Sequence, residues 1–206
     1  MKMIDDKTNW IHFSGNLFCK KILKILGWKL HFEGLPGPHG ILIVYPHTSN
    51  LDFFIGVLAK WSVGIPVNFL AKDSLFRIPL IGWWLRYLGG RPVIRSSPQG
   101  YVAELAEEMQ SNDYFWLVIT PEGTRKKTPG WRSGFYRLAN LTGYPVGLAY
   151  LDYVKKEIGI TRFVYLQGDE QSDMQFIQQE YMGKIGRFPE SMTPIQLWKP
   201  EDRKVS

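Results

Sequence analysis

The sequence predicts an α/β fold, a single domain with a largely parallel central sheet flanked by helices and preceded by an N-terminal amphipathic helix. Two observations predict it. From residue 40 onward, short apolar runs of strand length alternate with longer amphipathic runs, and turn-forming residues separate many of them. The chain has 206 residues, of which 45% are hydrophobic, and this composition suits one core in a globular protein.

Residues 1–33 are predicted to form an N-terminal arm. Plotted on a helix, residues 17–30 place three lysines on one side and most of the apolar residues on the other. Two interpretations stay open: a helix packed on the domain with its lysines in solvent, or a helix lying among anionic lipid headgroups. Tryptophans near both ends favour the membrane. The lysines are Lys20, Lys21 and Lys24, and the tryptophans are Trp10 and Trp28.

The arm lacks the apolar core of a signal peptide. The sequence contains no run of about 18 uncharged apolar residues, so no transmembrane helix is predicted. The single cysteine, Cys19, lies in an apolar stretch and is predicted to pack as a small hydrophobic residue. One cysteine excludes an intramolecular disulfide and any metal site built from several cysteines.

The main domain is predicted over residues 34–186 and begins with the turn cluster GLPGPHG. The β-branched run GILIVY predicts a buried strand, and the apolar run after it predicts a helix whose N-cap is Ser49 or Asn50. Strands are predicted at 40–45, 66–71 and 91–95, and helices at 51–61 and 74–89, the latter after Pro79.

The second half of the main domain continues the alternation. An amphipathic helix is predicted at 98–111, a buried strand at 114–120 and a helix ending at a glycine at 130–143. Two strands, 144–153 and 158–166, are predicted to pair as a hairpin, and an amphipathic helix follows at 172–185. The charged residues 187–206 contain prolines and are predicted to form a loose C-terminal tail.

The net charge of +6 favours anionic partners such as an anionic membrane, a phosphorylated substrate or an anionic carrier. Nucleic acid is not expected, because the chain has no recognition motif and no interleaving of basic with aromatic residues.

His47 and Asp52 follow the first predicted strand, and loops after strands gather at one edge of a parallel sheet. An aspartate that accepts from one imidazole nitrogen orients the ring and stabilises its charged form, which leaves the other nitrogen free to take a proton from a substrate hydroxyl. The alternative is plainer. Asp52 would stabilise the N-terminus of a helix and His47 would be a turn residue.

The PEGTR motif, residues 121–125, follows another buried strand. Gly123 permits a tight turn close to a ligand, and the planar fork of Arg125 suits a phosphate. Glu122 either orients Arg125 or holds the loop through backbone amides. Two more arginines, Arg91 and Arg95, flank a short strand and would extend an anion pocket.

The order of these motifs resembles that of the glycerolipid acyltransferase family, which includes the lysophosphatidate acyltransferases. The resemblance runs from about Gly34 to Tyr153 and includes H-x4-D, a following arginine, PEGTR and YPV. It implies that His47 is a general base oriented by Asp52. It also implies that Arg95 and Arg125, with the loop of Glu122, Gly123 and Thr124, bind the acceptor phosphate.

The resemblance further implies a membrane-peripheral enzyme on the cytoplasmic side of a bacterial inner membrane. It would move an acyl group from acyl-CoA or acyl carrier protein to the free hydroxyl of a lysophospholipid, most simply lysophosphatidate. No cofactor and no metal are expected.

Three alternatives remain at this point. In the first, the enzyme acylates another lyso-lipid, such as a lyso-aminolipid. In the second, the chain is a non-catalytic lipid-binding protein. The third is a metal-dependent hydrolase with His47, Asp52 and Glu122 as ligands, although the sequence has no HxH or HExxH motif.

Overall fold

Eight strands form one sheet in the computed structural model, which describes residues 2–3, 10–93 and 98–198. Near-continuous apolar runs give the central strands two buried faces, as expected for a sheet covered by helices on both sides. The strands are β1 (Lys2–Met3), β2 (Lys29–His31), β3 (His39–Tyr45), β4 (Val67–Lys72), β5 (Gly90–Val93), β6 (Phe115–Ile119), β7 (Val146–Asp152) and β8 (Glu157–Tyr165).

The strand order is β1-β8-β7-β3-β6-β4-β5, and β2 also pairs with β8. The pairs from β7 through β5 are parallel, as are β2 and β8, whereas β7 with β8 and β1 with β8 are antiparallel. The predicted largely parallel sheet and the predicted hairpin are therefore confirmed.

The helices are α1 (Leu17–Ile25), α2 (Leu51–Val63), α3 (Asp73–Phe76), α4 (Pro79–Tyr87), α5 (Pro98–Ser111), α6 (Gly134–Thr142) and α7 (Glu170–Glu180). A short 3₁₀ turn follows at Pro189–Ser191. The helix predicted after Pro79 is present as α4, while the residues before it form the separate turn α3, because Ile78 is extended and breaks the helix. The helix predicted from residue 130 starts later, because the amide of Trp131 pairs with Gln196 and that of Arg132 with Pro121.

Two helical layers cover the sheet. One side packs against α5, α6 and α7 around fully buried side chains such as Phe115 and Leu117 of β6. The other side carries α1 and α2, whose Leu23, Ile55 and Ala59 pack against β7 and β8. This second layer holds the element that follows His47.

The predicted N-terminal amphipathic helix is confirmed as α1. Its N-cap is Asn16, whose side chain accepts hydrogen bonds from the amides of Phe18 and Cys19 at 2.9 and 3.2 Å. Cys19 is buried, as predicted, and Leu23 is packed against α2. The part of the arm that the structure describes from residue 10 is thus joined to the main domain by α1 and by β2.

The expectation of a loose tail after residue 186 is wrong for the residues described up to Trp198. Residues 186–198, here called the C-terminal segment, lie against the domain, with Thr193 and Leu197 buried. Trp131 and Leu197 form a parallel β-bridge. Backbone hydrogen bonds carry much of this contact, and a composition rich in charge and proline gives no sign of them.

Candidate active site

His47 lies just beyond the end of β3, which is bounded by β6 and β7 in the middle of the sheet. Asp52 lies in the first turn of α2. The chain reverses between them, and His47 Nδ1 comes to 3.1 Å from Asp52 Oδ2. The side chain of Asp52 is almost fully buried, while that of His47 keeps 14% of its surface exposed. The structure therefore brings the two residues together as a histidine–carboxylate pair with one open side.

Four donors surround the Asp52 carboxylate. The amides of Thr48 and Ser49 each donate to Oδ2 at 2.9 Å, in addition to His47, and the Tyr153 hydroxyl donates to Oδ1 at 2.5 Å. Burial by itself would raise the pKa of Asp52, but these hydrogen bonds together outweigh it and hold the pKa below its ordinary value. Asp52 is therefore ionised at neutral pH and fixes the proton of His47 on Nδ1.

The other ring nitrogen of His47, Nε2, has no hydrogen-bond partner among the residues that the structure describes. A neutral imidazole that donates through Nδ1 has a lone pair on Nε2. The pair is thus arranged to accept a proton from a group that enters the open side.

Tyr153 is a site residue that the sequence did not reveal. It lies just after β7, where its amide donates to Ile185 and its ring packs edge-on against Trp28 at 5.0 Å. Burial, together with the bond to Asp52, raises the pKa of the Tyr153 hydroxyl, so it remains a donor. The one signal available in the sequence is its place at the end of the strand predicted over residues 144–153.

Glu122 is buried at the start of the PEGTR loop. Its Oε2 accepts from the amide of His47 at 2.7 Å and its Oε1 from the amide of Thr193 at 3.3 Å. Burial, with a smaller contribution from the nearby charge of Asp52, raises its pKa to about 8 despite these two bonds. The sequence left two roles open for Glu122: orienting Arg125, or holding the loop through backbone amides. The two bonds to amides fit the second role.

After the buried Glu122, the PEGTR loop turns toward solvent, with Gly123 exposed and Thr124 half-buried. Gly123 has φ +67°, a left-handed conformation that favours glycine, and its amide closes the turn onto Thr120 at 3.0 Å. Thr124 Oγ1 accepts from the amide of Lys126. Arg125 is exposed, as are the lysines that follow it. The loop therefore presents basic side chains after β6, the strand next to β3.

The two strand-flanking arginines have different outcomes. Arg91 is occupied elsewhere: its guanidinium donates to Asn68 at 3.1 Å, pairs with Glu108 and lies 4.8 Å from the centre of the Phe115 ring. The prediction that Arg91 contributes to an anion pocket with the other arginines is therefore wrong. Arg95 lies outside the described residues, and its role stays a prediction.

The C-terminal segment joins the site loops. The amide of Phe188 donates to Thr48 Oγ1 at 3.1 Å, the amide of Thr193 binds Glu122, and the Tyr45 hydroxyl donates to the carbonyl of Thr193 at 3.1 Å. One segment thus contacts both the turn that carries His47 and the PEGTR loop.

Residues that could hold a metal do not cluster in the described part of the chain: no group of three or more histidine, cysteine or acidic side chains is arranged to bind an ion. His47, Asp52 and Glu122 lie near one another, but both oxygens of Glu122 face backbone amides. The arrangement does not support the metal-dependent hydrolase.

The sequence profile of the Acyltransferase family matches residues 29–147, more than half of the chain, and this range includes His47, Asp52 and the PEGTR loop. The chain belongs to the acyltransferase family.

Curated relatives of this acyltransferase include two chloroplastic 1-acyl-sn-glycerol-3-phosphate acyltransferases. BAT2 of Brassica napus is 31% identical over 109 residues, which are 48% of this chain and 30% of BAT2. LPAT1 of Arabidopsis thaliana is 29% identical over 128 residues, 58% of this chain and 35% of LPAT1. A lyso-ornithine lipid O-acyltransferase of Rhodobacter capsulatus is 28% identical over 106 residues, 52% of this chain and 37% of that protein. The chain matches about a third of the length of each relative.

Among solved structures, the 1-acyl-sn-glycerophosphate (LPA) acyltransferase PlsC from Thermotoga maritima has the same fold. The TM-score is 0.53 with 21% sequence identity, over 79% of this chain and 73% of PlsC. Within the described residues of this acyltransferase, no helix has both the length and the apolar character needed to cross a membrane.

Proposed function

We propose that this acyltransferase moves a fatty acyl group from a thioester to the free hydroxyl of a lysophospholipid, most simply lysophosphatidate. The observation that carries the proposal is the His47–Asp52 pair, with Asp52 buried and ionised and with the His47 side chain partly exposed. The names of the plant relatives support a glycerol phosphate acceptor.

The proposed reaction needs one base and no acyl-enzyme. Nε2 of His47 takes the proton of the lipid hydroxyl as the hydroxyl oxygen attacks the thioester carbonyl carbon. When the tetrahedral intermediate collapses, the C–S bond breaks, the ester forms and the thiolate takes the proton back from His47. Asp52 stabilises the imidazolium between these two steps.

The oxyanion of the intermediate needs donors, and several amides near His47 are already occupied. Those of Thr48 and Ser49 bind Asp52, and that of Gly123 binds Thr120. We assign the remaining stabilisation to the positive N-terminal end of α2, which begins at Leu51 next to the pair.

The basic PEGTR loop is proposed to bind the phosphate of the acceptor, with Arg125 as the principal contact and Gly123 and Thr124 shaping the approach. Arg95 is assigned to the same phosphate as a prediction from the family resemblance. The donor is acyl-CoA or acyl carrier protein, both of which are anionic and suit a chain with net charge +6. We place the reaction on the cytoplasmic side of a bacterial inner membrane, where the protein acts peripherally.

Acceptor-dependent thiol release tests this function. Purified protein is mixed with an acyl thioester and, in parallel, with lysophosphatidate, lyso-ornithine lipid or lysophosphatidylcholine in detergent micelles. Fastest release with lysophosphatidate supports the proposal. Fastest release with lyso-ornithine lipid would instead favour the second candidate, which the Rhodobacter relative suggests. No release with any acceptor and either donor would contradict both and favour a non-catalytic lipid-binding protein.

Arg125→Ala tests the phosphate site. We expect KM for lysophosphatidate to rise at least about tenfold with a smaller change in kcat, because a charged hydrogen bond to phosphate contributes roughly 1.5–3 kcal/mol. Arg137→Ala, which removes an exposed arginine from α6 in the opposite helical layer, is the matched control. An unchanged KM in Arg125→Ala would show that Arg125 does not bind the phosphate of the acceptor.

A further inference from the structure

Arg187, in the C-terminal segment, is an exposed cation beside the candidate site. Its guanidinium has no ion pair and no hydrogen bond with another residue in the described part of the chain. It lies 5.5 Å from the centre of the ring of its neighbour Phe188. The N–H donors of Arg187 are therefore available to a ligand, unlike those of Arg91, which are used within the protein.

The backbone on both sides of Arg187 is held against the turn that carries His47. On one side, the amide of Phe188 donates to Thr48 Oγ1 at 3.1 Å. On the other side, Gly186 packs so closely on this turn that a Cβ atom there would lie 2.7 Å from Thr48 Oγ1. Arg187 is thus fixed at the edge of the site by its two neighbours, although its side chain is exposed.

The charge of Arg187 also lies close to the group that orients the catalytic pair. The carbonyl of Ile185 accepts from the amide of Tyr153 at 2.9 Å, and the Tyr153 hydroxyl donates to Asp52. Burial and the bond to Asp52 raise the pKa of Tyr153, and the positive charge of Arg187 acts in the opposite direction. The guanidinium is therefore near enough to the His47–Asp52 pair to contact a substrate bound there.

Arg187 and the PEGTR loop approach the site from different sides of β3. The strand order places β6, which precedes the PEGTR loop, on one side of β3 and β7, which precedes Tyr153, on the other. Arg125 follows β6, and Arg187 is held beside Tyr153. Two guanidinium groups that reach a site from two sides suit a phosphate monoester, whose oxygens can accept from both.

The chemistry of the two substrates indicates which anion Arg187 meets. In lysophosphatidate, a short glycerol linkage joins the free hydroxyl to the phosphate, so a hydroxyl at His47 brings the phosphate into the site. In the thioester donor, the long pantetheine arm separates the reacting carbonyl from the nearest phosphate. A cation held beside His47 therefore suits the phosphate of the acceptor better than that of the donor.

We propose that Arg187 binds the phosphate of the acceptor and thereby selects a phosphate-bearing lyso-lipid over a neutral one. Arg187 lies outside residues 29–147, which the family profile matches, so the family motifs do not assign it. The inference deepens the proposed function and rests on it for the identity of the acceptor. Binding of the acceptor is measured without any acyl transfer, so the two fail separately.

Calorimetric titration of the full chain tests the inference in the absence of donor, detergent and vesicles. The ligands are the soluble hexanoyl lysophosphatidate and monohexanoylglycerol, which differ only in the phosphate. We expect Arg187→Ala to weaken binding of the first at least about tenfold and of the second less than about twofold. Arg137→Ala, the exposed control on α6, should change neither. Because Arg187 is exposed, the melting temperature of its variant should stay near that of the wild type.

Thiol-release kinetics separate a contact with substrate from an effect through Tyr153. Arg187→Ala should raise KM for lysophosphatidate at least about tenfold, and should leave KM for the thioester within about twofold. The acidic limb of the pH profile should stay in place, whereas a residue that acted only through Tyr153 would move that limb and lower kcat. Arg187→Lys, which keeps the charge but not the planar fork, should recover part of the loss in KM.

Three results would overturn the inference. Equal weakening of both ligands would mean that Arg187 holds the C-terminal segment in place and does not bind phosphate. A raised KM for the thioester with an unchanged KM for lysophosphatidate would assign Arg187 to the donor. A loss of binding seen only with anionic vesicles would assign it to the phosphates of a bilayer. The expected loss of lysophosphatidate binding in a protein without acyl transfer would support the inference and contradict the proposed function.

Discussion

At the residue scale, the site depends on groups that hold His47 and Asp52 as much as on the pair itself. Tyr153→Phe removes one hydroxyl and leaves Asp52 Oδ1 without its donor. The pKa of Asp52 should then rise toward its ordinary value. We expect kcat to fall about tenfold, KM to change little, and the acidic limb of the pH profile to move to higher pH.

Tyr136→Phe is the matched control for Tyr153→Phe. It removes another tyrosine hydroxyl bonded to a buried aspartate, Asp173, at 3.0 Å on the α6–α7 side. Both variants should lose a similar amount of stability, on the order of 1 kcal/mol, in urea unfolding. If the acidic limb moved equally in both, or in neither, Tyr153 would have no specific role in orienting the pair.

Glu122 gives a pH dependence of stability with a definite sign. Its pKa of about 8 in the folded protein lies above the ordinary 4.5, so the folded state holds the proton more tightly than the unfolded chain. The contribution of Glu122 to stability is complete below pH 4.5 and is lost as the pH rises toward 8. The free energy of unfolding of wild type, relative to Glu122→Gln, should therefore decrease between pH 5 and pH 8. A difference that stays constant or increases over this range would contradict the raised pKa.

At the element scale, the C-terminal segment holds the site together. A chain ending at Gly186 loses the bonds of Phe188 to Thr48 and of Thr193 to Glu122, and it uncovers the buried Trp131. We expect it to lose at least about 3 kcal/mol in urea unfolding, together with most of its activity. A chain ending at Trp198 keeps all of these contacts and should behave like the full chain. Equal stability of the two truncated chains would show that the segment is dispensable.

The regular elements were predictable because their apolar periodicity is local. GILIVY and the run after Asn50 each carry a pattern that needs no information from elsewhere in the chain. The C-terminal segment was not predictable in the same way, since it is held largely by backbone groups, for example the amides of Phe188 and Thr193. The separate turn α3 was also missed, because an extended Ile78 interrupts a run that is otherwise apolar at helical spacing.

At the scale of the whole molecule, the parallel sheet explains why the site could be located from sequence. β3 and β6 are neighbours, so the loops after them, which carry His47 and Glu122, meet at one edge. Side-chain direction was harder to foresee. Arg91 turns to Glu108 and Phe115, and Tyr153 reaches Asp52 across a sequence separation of 101 residues. Contacts between residues so distant in sequence depend on the assembled fold, and local spacing does not encode them.

The central claim is that His47 is the base of an acyl transfer, and one substitution tests it most directly. Acceptor-dependent thiol release is measured for wild type, for His47→Ala and for His12→Ala, which changes an exposed histidine in the N-terminal part of the chain. The account predicts that His47→Ala lowers kcat at least about 10³-fold while the protein stays folded, and that His12→Ala retains wild-type rates. Thiol release at the wild-type rate in a folded His47→Ala protein would contradict it.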